Sequence, residues 1–210
     1  ERLRRVKYLA DSQITSDLLS GASAVLVDEA HLLSQEKLEY LLRYCGKRPV
    51  IFSSDYENML SPEELDRAAV HALEQISGIQ SFRLTNRIRT NVELSSFIQN
   101  LMHLPDRKTT RHFPNVTVLY ANDEREAENL MLDAGEHGFQ ILSRQEDNGK
   151  TMDRLAVLLD EKYYYDENRY LRSQDHTVRT LFYRLNGAKE KLMIVVKENA
   201  PVYERVLELL

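Results

Sequence analysis

Two adjacent carboxylates, Asp28 and Glu29, follow directly on the apolar run at residues 24–27, and His31 lies two residues further on. An acid at the end of a buried strand can hold Mg²⁺ beneath the phosphates of a nucleotide, and a neighbouring acid can orient and deprotonate the attacking water. The pair could instead only begin a loop and cap the next helix. Four apolar residues that run straight into Asp-Glu-Ala-His favour the nucleotide site.

Short apolar runs alternate with amphipathic stretches along the whole chain. We predict strands at residues 24–27, 49–52, 79–84, 116–120, 139–142, 155–159 and 192–196, and helices at residues 34–44, 62–76, 92–101, 124–132, 177–185 and 203–210. The start of the second helix is the best marked, because Ser61 can cap it, Pro62 suits its first position and Glu64 completes a capping box. This alternation indicates an α/β fold around a mostly parallel sheet, in which ligands bind at the carboxyl ends of strands.

The composition excludes several classes of protein. Hydrophobic residues make up 42% of the 210 residues and charged residues 29%, which is typical of a globular chain. A single cysteine, Cys45, rules out an intrachain disulfide and favours a reducing compartment. No apolar run approaches the roughly 18 residues of a membrane helix. We therefore expect a cytoplasmic protein without a membrane segment.

The charge balance bears on nucleic-acid binding. The 28 basic and 33 acidic residues give a net charge of −5, so the chain lacks the basic excess of a dedicated nucleic-acid-binding domain. Two local basic groups remain, at residues 83–89 and 107–111, and in so charged a chain such groups are more often solvated surface than a binding groove. Nucleic acid is thus a possible partner that composition alone does not select.

The octet around Asp28 resembles the Walker B motif of helicase-type P-loop ATPases. Further stretches resemble, in order, the motifs of superfamily 1 helicases, and in particular those of a bacterial DNA/RNA helicase domain family. The resemblance implies RecA-like lobes of mostly parallel sheet flanked by helices, with ATP and Mg²⁺ as cofactors and DNA or RNA as a partner. It also implies that Asp28 holds the metal and that Glu29 activates the water.

Two of these motifs supply further candidate site residues. Residues 50–58 resemble the third helicase motif, with Asp55 after the strand and Asn58 where the family has a glutamine that senses the terminal phosphate. Residues 84–90 resemble the fourth motif, in which an arginine of the second lobe reaches the γ-phosphate, and Arg89 stands at that position. The resemblance implies that Asp28, Asn58 and Arg89 converge on one cleft.

Two later stretches extend the resemblance to the end of the chain. Residues 155–168 are similar to a strand and tyrosine-rich loop of the bacterial family, and the three tyrosines could stack on bases or, more simply, pack against a neighbouring domain. Residues 185–196 resemble the sixth motif, where Gly187 replaces an arginine. Arg179 or Arg184, on the preceding helix, could take over its role.

The phosphate-binding loop of such ATPases, Gly-x-x-x-x-Gly-Lys-Ser/Thr, is absent from the 210 residues. The nearest string is Gly149-Lys150-Thr151, which precedes an apolar run better suited to a strand. By the resemblance, this string takes the place of a Gly-Gln-Glu in the fifth motif and lacks its carboxylate. We therefore expect this chain alone not to hydrolyse ATP.

Three interpretations stay open. The chain is the carboxy-terminal portion of a longer ATPase, with a partial first lobe at residues 1–78 and a second lobe at residues 79–210, or it is a non-catalytic RecA-like module that binds a protein or nucleic-acid partner. In the first case, a missing amino-terminal segment would leave apolar surface uncovered near Val25 and Ile51. A metal-dependent hydrolase built on Asp28, Glu29 and His31 is the third interpretation.

Overall fold

The computed structural model of the chain describes residues 6–54, 59–62, 64, 80–82, 91–103, 112–141, 151–175 and 177–210. The chain divides into two compact units, Glu1–Phe82 and Arg83–Leu210. Among the helices in the described ranges, none combines the length and the apolar character needed to span a bilayer.

The first unit is built on two parallel strands, β1 (Val25–Val27) and β2 (Val50–Phe52), in which Val25 lies opposite Val50. Helix α1 (Ser16–Gly21) precedes β1, and helix α2 (Gln35–Cys45) connects the two strands. Short 3₁₀ turns lie at Asp11–Gln13 and Ala30–Leu32.

Helix α2 forms where the sequence predicts a helix. The Ser34 hydroxyl caps it by accepting the Lys37 N–H at 3.3 Å. Leu38, Leu41 and Cys45 recur three or four residues apart and are buried, so the helix presents one apolar stripe to the core. Gly46, with φ of +59°, ends the helix in a conformation that a residue with a side chain rarely adopts.

The two-stranded sheet has one covered face and one open face. Val25, Val27, Val50 and Phe52 pack against the core cluster of Leu19, Ala30, Leu33, Leu41 and Cys45. The alternate residues Leu26 and Ile51 lie opposite each other and are 73% and 59% exposed. Exposed apolar surface therefore lies near Val25 and Ile51, as predicted, and its residues are Leu26 and Ile51. Neighbouring residues of a strand face opposite ways, so Leu26 is the exposed residue.

The second unit contains a four-stranded sheet in which all the strands are parallel. Its order is β3 (Val116–Ala121), β8 (Ala188–Lys197), β5 (Met152–Leu159) and β4 (Gln140–Ile141). The central strand β8 carries the core of the unit, since Leu192, Ile194, Val195 and Val196 are fully buried.

Helices cover both faces of this sheet. The helices of the unit are α3 (Val92–Met102), α4 (Glu124–Glu136), α5 (Val178–Leu185) and α6 (Ala200–Leu207). Ala127 of α4 packs with Ala121 and Val195 on one face. Tyr120 points to the other face, where its ring centroid lies 5.1 Å from that of Tyr203 in α6. The α/β class with a parallel sheet flanked by helices is thereby confirmed.

Several elements differ from the sequence prediction in extent. Helix α4 runs past Gly135, and the left-handed residue after its end is Gly138, with φ of +81°. Strands β5 and β8 begin three and four residues earlier than predicted, and α6 spans 200–207 rather than 203–210 because Asn199 caps it.

Two predicted elements are tested only in part. The Glu64 N–H donates to the Ser61 hydroxyl at 3.2 Å, as the predicted helix start requires, while residues 65–76 lie outside the described ranges. Residues 80–82 belong to no strand, contrary to the predicted strand at 79–84, whose other residues are not described.

An antiparallel hairpin, β6 (Tyr163–Tyr165) and β7 (Leu171–Ser173), follows β5 where the sequence suggested a loop. The Asn199 side chain joins this hairpin to the sheet. Its Nδ2 donates to the backbone carbonyls of Asp160, at 3.0 Å, and Tyr163, at 2.7 Å, and its Oδ1 accepts the Val202 N–H at 3.4 Å. One buried amide thus fixes the end of β5, the start of β6 and the first turn of α6.

We predict that Asn199→Asp destabilises the chain nearly as much as Asn199→Ala, by about 2 kcal/mol or more. Aspartate is as good a helix cap as asparagine, but it cannot donate to the two carbonyls. Urea unfolding of both variants, followed by circular dichroism, measures the effect. A neutral Asn199→Asp would mean that Asn199 acts as a cap alone.

Candidate functional site

The Asp28–Glu29 pair lies at the carboxyl end of β1 and is tied to the neighbouring strand. The Ser53 N–H donates to the Val27 carbonyl at 2.8 Å, and the Ala30 N–H donates to the Ser53 carbonyl at 2.8 Å. These two bonds continue the parallel ladder past the last paired residues. The acidic turn therefore meets the segment after β2 at one edge of the sheet, which is the edge where α/β proteins bind ligands.

Asp28 is an exposed carboxylate that one hydrogen bond orients. Its Oδ1 accepts the Glu29 N–H at 3.0 Å. Mg²⁺ is bound in proteins by one or two carboxylates together with phosphate oxygens and waters. Asp28 thus fits Mg²⁺ provided that a nucleotide and water supply the remaining ligands.

The metal-dependent hydrolase interpretation is not supported. Within the described ranges, no three His, Cys, Asp or Glu side chains form a group that could hold a metal ion. The three residues of that interpretation are all described, and the imidazole of His31 is enclosed beside Glu29 rather than directed outward with Asp28.

Glu29 has a backbone conformation that its residue type does not favour. Its φ and ψ are +51° and +40°, in the left-handed region, which costs a residue with a Cβ about 1–2 kcal/mol. The surrounding hydrogen bonds maintain this conformation, including the Leu32 N–H that donates to the Glu29 carbonyl at 2.9 Å. A strained residue at the ligand edge of a sheet is a feature of functional sites.

The Glu29 side chain is partly exposed and approaches a buried imidazole outside hydrogen-bond geometry. Its Oε2 lies 3.2 Å from Nε2 of His31, whose side chain is completely buried, while the Glu29 side chain itself is 41% exposed. A partly exposed carboxylate can accept a hydrogen bond from a water molecule and take its proton. The role of Glu29 as the residue that activates water stays a prediction.

The other residues of the predicted cleft stay predictions. Asp55, Asn58 and Arg89 lie outside the described residues, so their approach to Asp28 is not tested. What the structure does show is that β1 and β2 are parallel neighbours, and hence that the segments after both strands begin at the same edge.

Gly187 lies in the turn that connects α5 to β8. Gly187 is buried between α5 and β8, where its N–H donates to the Arg184 carbonyl at 2.9 Å and its carbonyl accepts the Met152 N–H at 2.8 Å. The Arg179 guanidinium lies 5.9 Å from the ring centroid of Tyr183. A catalytic role for Arg179 or Arg184 in place of the missing arginine stays a prediction.

Thr151 excludes a phosphate loop at residues 149–151. A phosphate loop leads from a strand into the amino terminus of a helix, because the helix amides bind the phosphates. Thr151 instead leads directly into strand β5. The prediction that this stretch precedes a strand is confirmed.

Two of the three consecutive tyrosines have structural roles within the second unit. The Tyr165 hydroxyl donates to the Leu101 carbonyl at 3.0 Å, and burial raises the pKa of this phenol. The Tyr163 hydroxyl lies 3.2 Å from Oγ1 of Thr177. Tyr164 is the most exposed of the three, at 46%, while Tyr163 and Tyr165 are half-buried. Stacking of bases on these rings stays a prediction.

The six residues around Asp28 recur almost unchanged later in the chain, which the sequence analysis did not identify; we call these two stretches the near-repeat. Ala-Val-Leu-Val-Asp-Glu at residues 24–29 recurs as Ala-Val-Leu-Leu-Asp-Glu at residues 156–161, and both copies end a parallel strand. In the second copy, Glu161 lies 3.5 Å from Nζ of Lys197, which also pairs with Glu124. Its own backbone N–H and then the Lys197 charge lower the pKa of the Glu161 carboxyl. In the second pair, a lysine thus approaches the glutamate.

Comparison with known proteins assigns no family or function to the chain. The sequence matches no protein-family model, and no match is found among curated proteins. The site is therefore interpreted from its own residues.

We predict that Glu29→Gly gives a more stable chain than Glu29→Ala, by about 1 kcal/mol. Both variants remove the carboxylate and its contact with His31, but glycine alone adopts the left-handed conformation without a steric cost. Thermal or urea unfolding of the two variants, compared directly, gives the difference. Equal stabilities would show that the turn at Glu29 is not strained.

Proposed function

We propose that the chain is part of a RecA-like, nucleic-acid-dependent ATPase of the helicase type. The observation that carries the proposal is the exposed Asp28 carboxylate beside a left-handed Glu29 at the carboxyl end of a parallel strand. The fully parallel sheet of the second unit, with helices on both faces, supports a RecA-like second lobe. A cytoplasmic location belongs to the same proposal.

The residues divide the chemistry between them. Asp28 would hold Mg²⁺ through its exposed carboxylate, and Glu29 would orient a water and take its proton. Bound together with ATP, Mg²⁺ would neutralise negative charge on the β- and γ-phosphates. Asp55, Asn58 and Arg89 complete the proposal as residues near the terminal phosphate. The lysine that cradles the phosphates is not among the 210 residues, so another segment or a partner protein would have to supply it.

We predict that the purified chain shows no measurable ATP hydrolysis with Mg²⁺. Without a lysine-bearing loop, the phosphates are not held for attack, whatever the state of Glu29. Release of phosphate over the uncatalysed rate is the measurement. Turnover by the wild-type chain that Glu29→Gln abolishes would contradict the prediction and require a phosphate site within these residues.

We also predict that Mn²⁺, used with ATP in place of Mg²⁺, selectively broadens the NMR signals of Asp28, Glu29 and Ser53. Paramagnetic broadening detects weak occupancy, which is what a site with one protein carboxylate should give. Asp28→Asn should abolish the effect. The matched control is Asp160→Asn, which alters the same residue type in the near-repeat and should leave the broadening at Asp28 unchanged.

A non-catalytic module that binds a protein or nucleic-acid partner is the second candidate. It is favoured by Gly187 at the position of an expected arginine and by the open apolar face at Leu26 and Ile51. The Mn²⁺ experiment separates the two candidates. A non-catalytic module predicts no broadening at Asp28 beyond that at other exposed carboxylates such as Asp17.

A further inference from the structure

A cleft of about 480 Å³ lies between the hairpin and helix α6. Strand β6 and Arg169 of the hairpin turn form one wall, and Pro201, Val202 and Arg205 of α6 form the other. All of the lining residues belong to the second unit. A cleft of this size can hold a small ligand or a short peptide segment.

Hydrogen bonding within the hairpin alternates along β6. The Asp166 N–H donates to the Tyr170 carbonyl at 3.0 Å, just beyond the strands. At the other end, the Gln174 N–H donates to the Lys162 carbonyl at 3.0 Å. Hydrogen-bonded and non-hydrogen-bonded pairs alternate in an antiparallel ladder, so Tyr165 belongs to a non-hydrogen-bonded pair. Its backbone N–H and C=O therefore point away from β7.

The edge of β6 that points away from β7 lies on the side of α6. The Tyr163 carbonyl is on this edge and accepts the side chain of Asn199, which caps α6. Two residues along the same edge, the N–H and C=O of Tyr165 make no hydrogen bond with the parts of the chain that the structure describes. An unpaired strand edge is a template to which an extended peptide can add.

One cation of the cleft is not matched by an acid. Glu161 and Glu208 also line the cleft, but Glu161 lies 3.5 Å from Nζ of Lys197 and Glu208 lies 2.5 Å from Nη1 of Arg205. The Arg169 guanidinium makes neither an ion pair nor a hydrogen bond with any described residue. The cleft therefore complements a ligand that brings a single carboxylate to Arg169.

We propose that this cleft binds an extended, acidic peptide segment of a partner protein. The backbone of the segment pairs with the N–H and C=O of Tyr165, and an aspartate or glutamate side chain pairs with Arg169. A neighbouring apolar side chain packs on Pro201 and on the Tyr164 ring, both of which are exposed. Nucleic acid fits less well, because the two carboxylates of the cleft repel successive phosphates and a sugar-phosphate chain cannot extend a strand. The site does not depend on the ATPase function proposed for the acidic turn.

The test is an NMR titration of the ¹⁵N-labelled 210-residue chain with the peptide acetyl-Asp-Val-Phe-Val-Asp-amide, whose two acids let either orientation bring one to Arg169. We expect amide shifts concentrated at residues 163–166, 169 and 201–205, and slower hydrogen exchange of the Tyr165 amide. Arg169→Gln should weaken binding roughly fivefold by removing the charge pair, and Arg169→Lys should largely retain it. Arg125→Gln is the matched control, since Arg125 is an exposed arginine of α4 on the other face of the sheet, and should leave binding unchanged.

Three titration results would overturn the proposal: no shifts in the cleft at about 5 mM peptide, equal binding of acetyl-Lys-Val-Phe-Val-Lys-amide, or tighter binding in the cleft by the single-stranded oligonucleotide hexathymidylate. Unchanged exchange of the Tyr165 amide in the complex would also overturn it, because the backbone would then be unpaired. If Arg169→Gln does not fold, Arg169→Gly decides, since glycine adopts the left-handed φ of +65° at this position without strain.

Discussion

Parallel pairing of strands is the constraint on which both units depend. A parallel pair cannot be closed by a tight turn, so a helix has to return the chain between strands, and α2 does this between β1 and β2. The same pairing brings the carboxyl ends of neighbouring strands to one edge. In the second unit it also buries β8 between β3 and β5, with helices on both faces. The acidic turn after β1 lies at this edge because of the parallel pairing.

The two Asp-Glu pairs of the near-repeat are identical in sequence but differ in the residues around them. At the end of β5, the Asp160 carbonyl accepts a hydrogen bond from the Asn199 side chain, and Glu161 approaches Lys197. The pair thus contributes to the structure of the unit. At the end of β1, Asp28 faces solvent and Glu29 reaches a buried imidazole in a strained turn. The same two residue types after the same kind of strand thus have different surroundings in the two units.

The apolar pattern predicted the strands and helices that have an uninterrupted run or stripe of apolar residues. It missed strand residues that are charged. Strand β8 begins at Ala188, but Lys189, Glu190 and Lys191 are exposed, and only the pairing with β5 makes them part of the sheet. The hairpin was missed for a related reason, since its turn and flanks are acidic. At the site, Asp28 and Glu29 could be identified from the strand before them. The left-handed backbone of Glu29 and the burial of His31 could not be predicted from the sequence. Glutamate does not favour a left-handed backbone, and histidine is not a typical core residue.

The amide of Asn199 also limits which parts of this surface can change in length. It reaches the carbonyls of residues 160 and 163 at once, so an added or deleted residue between β5 and β6 would carry one carbonyl out of range. Among the described residues, the tip of the hairpin makes no such hydrogen bond to the sheet. Its turn is closed locally by Asp166, whose carboxylate accepts the N–H groups of Asn168 and Tyr170. Insertions during evolution, or peptide tags introduced by engineering, are therefore accommodated at the tip of this hairpin and not at its base.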